Sequence, residues 1–181
     1  MSTTPDTRQD PPGDLTAGRH AELAGRDLEP WIRRLILLGC ALIAIAALLG
    51  VFGQEPTTSR AASPSASIEV RAPDRVRGGL IFQARFDVRA VAAIAQPVLR
   101  LERGWFDSMS VNSIEPSPAS ERSVGDRIEL EFEPVAAGDT MSVWIYFQAN
   151  PTNAGRQRQR VELADGERVL AHVDRSVLVF P

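Results

Sequence analysis

The chain is 181 residues long, 44% hydrophobic and 24% charged, with one cysteine and a net charge of −3, which leaves room for about one domain of ordinary size. Its apolar content excludes a wholly disordered chain, the near-absence of cysteine excludes a disulfide-stapled scaffold, and glycine without a period excludes collagen. With no basic excess a nucleic-acid partner is not expected, and with no long acidic run neither is a solvating tail.

Residues 1–30 are rich in Asp, Pro, Gly and Thr without sustained helical period, and read as a disordered tail. A short helix over Arg19 to Leu28 has Ala21, Leu23 and Ala24 in its favour and Gly18 and Gly25 against it. From Leu35 to Gly53 there are nineteen residues without a charge, roughly 28 Å of helix and a match to the hydrocarbon thickness of a bilayer. A helix is the way a single segment satisfies its backbone there, so this run predicts a transmembrane helix. Trp31, Arg33 and Arg34 form its interfacial anchor, giving a membrane segment over 31–53 with the bilayer as its first partner.

Arg19, Arg26, Arg33 and Arg34 precede the helix, whereas Gln54 to Ala72 holds only Arg60 and Arg71. The positive-inside bias therefore puts the N-terminus in the cytoplasm and everything after Gly53 outside the cell membrane. Two rivals fit less well. A cleaved signal peptide would have a shorter apolar region near the start of the chain, and Ser59-Arg60-Ala61 is a poor cleavage site. Leu37-Leu38-Gly39-Cys40 resembles a lipobox, but Cys40 lies near the beginning of the apolar run rather than after it. With Cys40 in the membrane, the outer domain has no cysteine for a disulfide. Ala46 and Gly50, four residues apart with Gly39 and Gly53 roughly in line, offer a weak close-packing face.

Residues 54–66, dominated by Ser, Thr, Pro and Ala, read as a flexible linker with a reach of about 20 Å. From Ser67 to Pro181 the period changes to two. Phe82, Ala84, Phe86 and Val88 alternate with Gln83, Arg85, Asp87 and Arg89, and Met141, Val143, Ile145 and Phe147 alternate with Ser142, Trp144, Tyr146 and Gln148. Similar alternation at Ile68/Val70, Leu99/Leu101, Ile128/Leu130/Phe132 and Val161/Leu163, with runs near Met109 to Ile114 and Val169 to Phe180, predicts about eight strands. Prolines 73, 97, 116, 118, 134 and 151 fall between the runs. Asp165-Gly166 is a hairpin signal of the type I′ kind, pairing the last two strands antiparallel. The expected fold is all-β, an antiparallel immunoglobulin-like β-sandwich over 67–181 preceded by one transmembrane α-helix.

RVRGGLIFQARFDV, then EPVAAGDTMSVWIYFQA, then RVELADGERVLAHVDRSVLVF together resemble the bacterial immunoglobulin-like modules of the CARDB and S-layer-associated kind. With its N-terminal anchor, the whole chain also resembles a group of single-pass envelope proteins of high-GC bacteria. The resemblance implies adhesion, binding or assembly, and brings no catalytic residue with it.

The residues themselves supply little chemistry. The two histidines, His20 and His172, lie on opposite sides of the predicted membrane segment, and no phosphate-binding or dinucleotide fingerprint is present, so neither metal nor cofactor is expected. Glu129, Glu131 and Glu133 share a strand face and read as a solvated face flanked by Arg127 rather than an acid/base pair or Ca²⁺ ligands. Arg156, Arg158 and Arg160 project from one face, either to meet phosphate or an acidic partner or to block edge-to-edge pairing. Trp144 and Tyr146 stand on the outer sheet face if Val143, Ile145 and Phe147 fill the core; an inverted register or packing under loops is the alternative. Trp105 and Phe106, after Gly104, read as a plug at one end of the sandwich. Trp144, Tyr146 and the three arginines are thus the candidate binding residues of a non-catalytic interaction or assembly module. It would be an accessory subunit of another membrane protein, or alternatively a binder of cell-wall or surface glycan on a platform of Trp105, Phe106 and Trp144.

Overall fold

A computed structural model of the chain describes residues 29–50 and 54–181. The tail over 1–28, with its candidate short helix, and the last residues of the apolar run lie outside the described residues. Helix α1 covers Glu29–Leu48, and its stretch Pro30–Leu48 is long and apolar enough to cross a bilayer. It stops earlier than the charge-free run implies. Gly50 takes φ 71°, and the Leu49 and Gly50 amides close on the Ile45 and Ala47 carbonyls, the left-handed glycine ending of a helix. Gly50 is therefore past the helix, and the packing face drawn through Ala46 and Gly50 does not exist as a helical face.

The second unit is built from eleven strands: β1 (Pro56–Ala62), β2 (Ala66–Pro73), β3 (Arg75–Arg77), β4 (Ile81–Ala90), β5 (Pro97–Glu102), β6 (Met109–Glu115), β7 (Ser120–Val124), β8 (Arg127–Glu131), β9 (Thr140–Ala149), β10 (Gly155–Asp165) and β11 (Arg168–Phe180). They form two sheets, ordered β1-β2-β4-β9-β6 and β3-β11-β10-β5-β8-β7. This is the expected immunoglobulin-like sandwich, with one departure from the antiparallel rule: β3 runs parallel to the end of β11.

Alternation explains the layers. Phe82, Phe86, Val143, Ile145 and Phe147 from the first sheet meet Leu99, Leu101, Leu130, Val161, Leu163 and Val177 from the second, all buried. The largest buried side chain is Trp105, in a 3₁₀ turn over Arg103–Trp105. Its ring centroid lies 5.3 Å from Phe86 and 5.5 Å from Phe147, and its Nε1 donates to the Arg160 carbonyl at 3.1 Å. That bond satisfies the indole donor so deep in the core. Gly104 is required just before it, because a Cβ there would overlap the Arg158 carbonyl oxygen.

The segment read as a linker is corrected. Residues 56–62 pair along their whole length with β2, from Pro56↔Pro73 to Ala62↔Ser67. The polar composition hid a β-compatible stretch, since an edge strand needs only one partner and little burial. Thr57 donates to the Ala72 carbonyl, Arg60 pairs with Glu69 at 2.7 Å, and Ala61 packs against the core. The sandwich therefore begins at Pro56, a proline at a strand's first residue where its missing donor is harmless.

The β10–β11 hairpin forms where Asp165-Gly166 placed it, but Asp165 pairs with Arg168, leaving Gly166 and Glu167 as the two loop residues. Gly166 (φ 58°) is the one with positive φ, since no non-glycine residue among those described has it. Glycine at the first loop position is the II′ pattern, not I′.

Candidate functional site

The first sheet's outer face is assembled by register. Arg71 of β2 stands beside Arg85 of β4, Arg85 beside Trp144 of β9, and Trp144 beside Glu115 of β6. One row over, Gln83 faces Tyr146. Trp144 and Tyr146 are half-buried and point outward, with Val143, Ile145 and Phe147 inward. Their exposed surface is ordered by neighbours. The Arg85 guanidinium lies 5.3 Å from the Trp144 ring centroid, Arg85 Nε pairs with Asp87 at 2.8 Å, and Gln83 Nε2 donates to the Tyr146 hydroxyl at 2.6 Å. Glu69, between Arg60 and Arg71, has its carboxyl held below its usual range by hydrogen bonds from both guanidiniums, and Glu69 in turn pushes the Arg71 guanidinium up.

Beside this row opens a cleft of about 480 Å³ whose lining includes Arg71, Ile81, Gln83 and Arg85. Sequence reading placed Gln83 and Arg85 outward on β4, yet left both, and Arg71, out of the site. The signal that brings them to Trp144 is cross-strand register, which a single strand's periodicity does not carry.

The arginine strip divides. Arg156, Arg158 and Arg160 do share the outward face of β10, but β10 is an interior strand, paired with β11 throughout and with β5 from Val161 onward. Opposite its first half sits the Gly104–Trp105 turn, so the aggregation-blocking edge is corrected to a covered one. Arg160 is held by Glu102, Glu162 and Asp174 at 3.5, 3.3 and 3.9 Å. Arg156 donates to Ser176 Oγ at 3.4 Å, and Arg158 is exposed.

Two further readings are corrected. Trp105 is fully buried, so it cannot share an exposed platform with Trp144. Glu129 is not solvated. It is 7% exposed, with Arg100, Arg122 and Arg127 within 3.4 Å. It belongs to a row across the second sheet, Glu162–Arg100–Glu129–Arg122, whose alternating charges cover that face.

Between the sheets, Arg175 projects from β11 toward Trp105, its guanidinium 5.7 Å from the ring centroid. Its Nη2 donates to the Ala72 and Pro73 carbonyls at 2.7 and 2.8 Å, and burial pushes it down to about 10. His172 is exposed, 3.6 Å from Asp174. Among the described residues no group of three or more His, Cys, Asp or Glu is placed to hold a metal. In α1 the Arg34 guanidinium lies 5.6 Å from the Trp31 ring centroid, Arg33 is exposed, and Cys40 is free.

Fold and site thus define a two-sheet β-sandwich that carries its distinctive groups on a sheet face, together with an apolar helix of membrane-spanning length. No family model and no curated protein matches the chain. Among solved structures, it is similar to CaCohA2 from Clostridium acetobutylicum, a solution structure, with 11% identity and a TM-score of 0.41, covering 58% of this chain and 84% of that one. It is also similar to part of a β-glucosidase from Listeria innocua, with 15% identity and a TM-score of 0.33, covering 63% of this chain and 16% of that one.

Proposed function

We propose that the chain is a single-pass membrane protein, N-terminus in the cytoplasm, whose extracytoplasmic sandwich is a non-catalytic interaction or assembly module. It docks on the outer portion of another membrane protein as an accessory subunit. The observation that carries the reading is the outward Trp144–Tyr146 pair, preordered by Arg85 and Gln83 beside an open cleft. Aromatic and arginine side chains already fixed in place lose little entropy on binding and are the groups that dominate interfaces. Anchoring by α1 would raise the local concentration of the sandwich at a membrane partner. The burial of Trp105 weighs against the glycan platform. Kinship with CARDB-like envelope modules is part of the same proposal.

Crosslinking in intact cells with mass spectrometry tests it, comparing the full chain with a Trp144→Ala/Tyr146→Ala variant. One membrane protein captured by the native chain and lost with the variant is the expected result, since an anchor of this kind contributes about 2 kcal/mol, roughly 30-fold in affinity. Undiminished capture by the variant would sink the proposed face. Retention on purified wall polymer in place of protein capture would replace the reading with glycan binding.

A further inference from the structure

One end of the sandwich gathers β1's start, β2's end, β3, β4's start, β9's end and the end of β11. The gathering is explicit in backbone bonds: Gly78 to Phe180, Gly79 to Ala149, Ala149 to Leu80, and Asn150 to Ser108. This end exposes apolar side chains that have no place in the core, Leu80 at 48% and Ile81 at 56%. Leu178, 37% exposed, stands on the second sheet's outer face between Arg75 of β3 and Arg156 of β10, both its register partners. Arg77 and Arg158 are exposed nearby, and the exposed carboxylates of this end include Glu55, Asp74, Asp107, which is paired with Arg103, and Asp126 in the β7–β8 turn. The opposite end, made by the loops after β4, β8 and β10, exposes Glu133, Asp139 and Glu167, with Arg89 and Arg168 as its cations. Arg168 is already tied to Asp165 at 3.3 Å.

The covalent chain limits how far β1's start can stray from the end of α1. Helix α1 ends by Gly50 and β1 begins at Pro56. The six Cα–Cα steps from Gly50 to Pro56 reach at most about 21 Å fully extended, so β1's start is confined to that distance from Gly50.

We propose that this end of the sandwich is a lipid-contacting foot: Leu80 and Ile81 enter the headgroup region of the bilayer while Arg77 and Arg156 contact the phosphates of anionic lipids. An end that carries both exposed apolar side chains and guanidiniums suits that interface, where the apolar part leaves water and the cations stay hydrated. The inference rests on α1 spanning the membrane, and it adds a second, orientation-fixing contact that takes up the Ile81 edge of the cleft while leaving Trp144 and Tyr146 free for a protein.

The test uses the full chain with Cys40→Ser, reconstituted into vesicles of phosphatidylcholine with or without 30% phosphatidylglycerol. A nitroxide is placed at Ile81→Cys, at Leu80→Cys, or at Ala137→Cys on the opposite end. Flotation after an alkaline wash reports anchoring; accessibility to oxygen against a nickel chelate reports lipid contact. The expected result is flotation of all three, with labels 80 and 81 oxygen-preferring in anionic vesicles and label 137 fully aqueous. Arg77→Glu/Arg156→Glu should lower the foot's bound-to-unbound ratio roughly 30-fold or more. Flotation with labels 80 and 81 as aqueous as label 137 overturns the foot and leaves the anchor standing. Failure to float overturns the anchor and the foot with it.

Discussion

Arg100 and Glu129 are the sharpest test of how the second sheet is held. Both side chains are nearly buried, at 4% and 7% exposure, with Arg100 Nε 3.1 Å from Glu129 Oε1. That distance is an ion pair, but the angle does not make a hydrogen bond, and Nε has no other acceptor. Each partner has partial substitutes. Arg100 Nη2 reaches the Gly166 carbonyl at 3.0 Å and Glu167 at 3.2 Å, the latter 93% exposed; Glu129 keeps Arg122 and Arg127. Breaking a buried pair by removing one member costs about 3–5 kcal/mol when the other is stranded. With these substitutes, Arg100→Met and Glu129→Leu should each cost about 2 kcal/mol. The double variant strands no charge and should cost only about 1 kcal/mol, a coupling of about 3 kcal/mol. Urea unfolding of the full chain in detergent micelles, followed by tryptophan fluorescence, measures all four corners of the cycle. Additive single costs, with a coupling under about 0.5 kcal/mol, would show that the row is a solvated surface after all.

Gly104→Ala should destabilise by about 3 kcal/mol or prevent folding, because the new methyl meets backbone rather than a movable side chain; thermal unfolding reads it directly. Arg175→Met keeps much of the packing on Trp105 but removes the guanidinium from the Ala72 and Pro73 carbonyls, of which Ala72 keeps the Thr57 hydroxyl as a donor, and should cost about 1–2 kcal/mol in the same urea assay. Arg175 is a base whose folded value lies below its unfolded one, so the burden of its buried charge is present at neutral pH and eases as pH rises through about 10. The gap between the native chain and the methionine variant should widen there. Glu69 has the opposite linkage: its lowered carboxyl favours the fold above the unfolded carboxylate range, and the benefit is lost as pH falls through the lowered folded value. Urea midpoints of the native chain and Glu69→Gln should accordingly differ at neutral pH and converge in acid.

Strands with one buried face announced themselves. β4 and β9 alternate over ten residues, and their inward and outward sets are those found. β1, β3 and β7 did not. PTTSRAA, RVR and SERSV carry almost no apolar pattern, and they are strands because a neighbour offers them a ladder. Outwardness of Trp144 was legible for the same reason as β9 itself, whereas its partnership with Arg85 needed the β4–β9 register. Trp105 shows the converse: a loop position says nothing about where an indole points, and here the 3₁₀ turn drives it between the sheets. Glu129 misled because outward on a strand was equated with wet. Neighbouring arginines on three strands cover it.

All twenty basic residues of the chain are arginines, and the sandwich puts most of those in its strands to one use. Arg60, Arg71 and Arg85 on the first sheet, and Arg100, Arg122, Arg127, Arg160 and Arg168 on the second, each close on a carboxylate of the same or a neighbouring strand. A guanidinium suits that task, since its planar fork can reach across a strand spacing while stacking on its neighbours. Charges committed in this way rigidify the faces and leave little field to attract a ligand. Arg77 and Arg158 make no ion pair among the described residues, and Arg156 spends a single bond on a serine. Arg77 and Arg156 belong to the end of the sandwich at which β1 starts. A fold that neutralises its faces by its own ladders while leaving uncommitted cations at its base directs its long-range attraction toward an anionic surface at that base. Under the proposed function, the aromatic face around Trp144 would then recognise its partner through contact and shape.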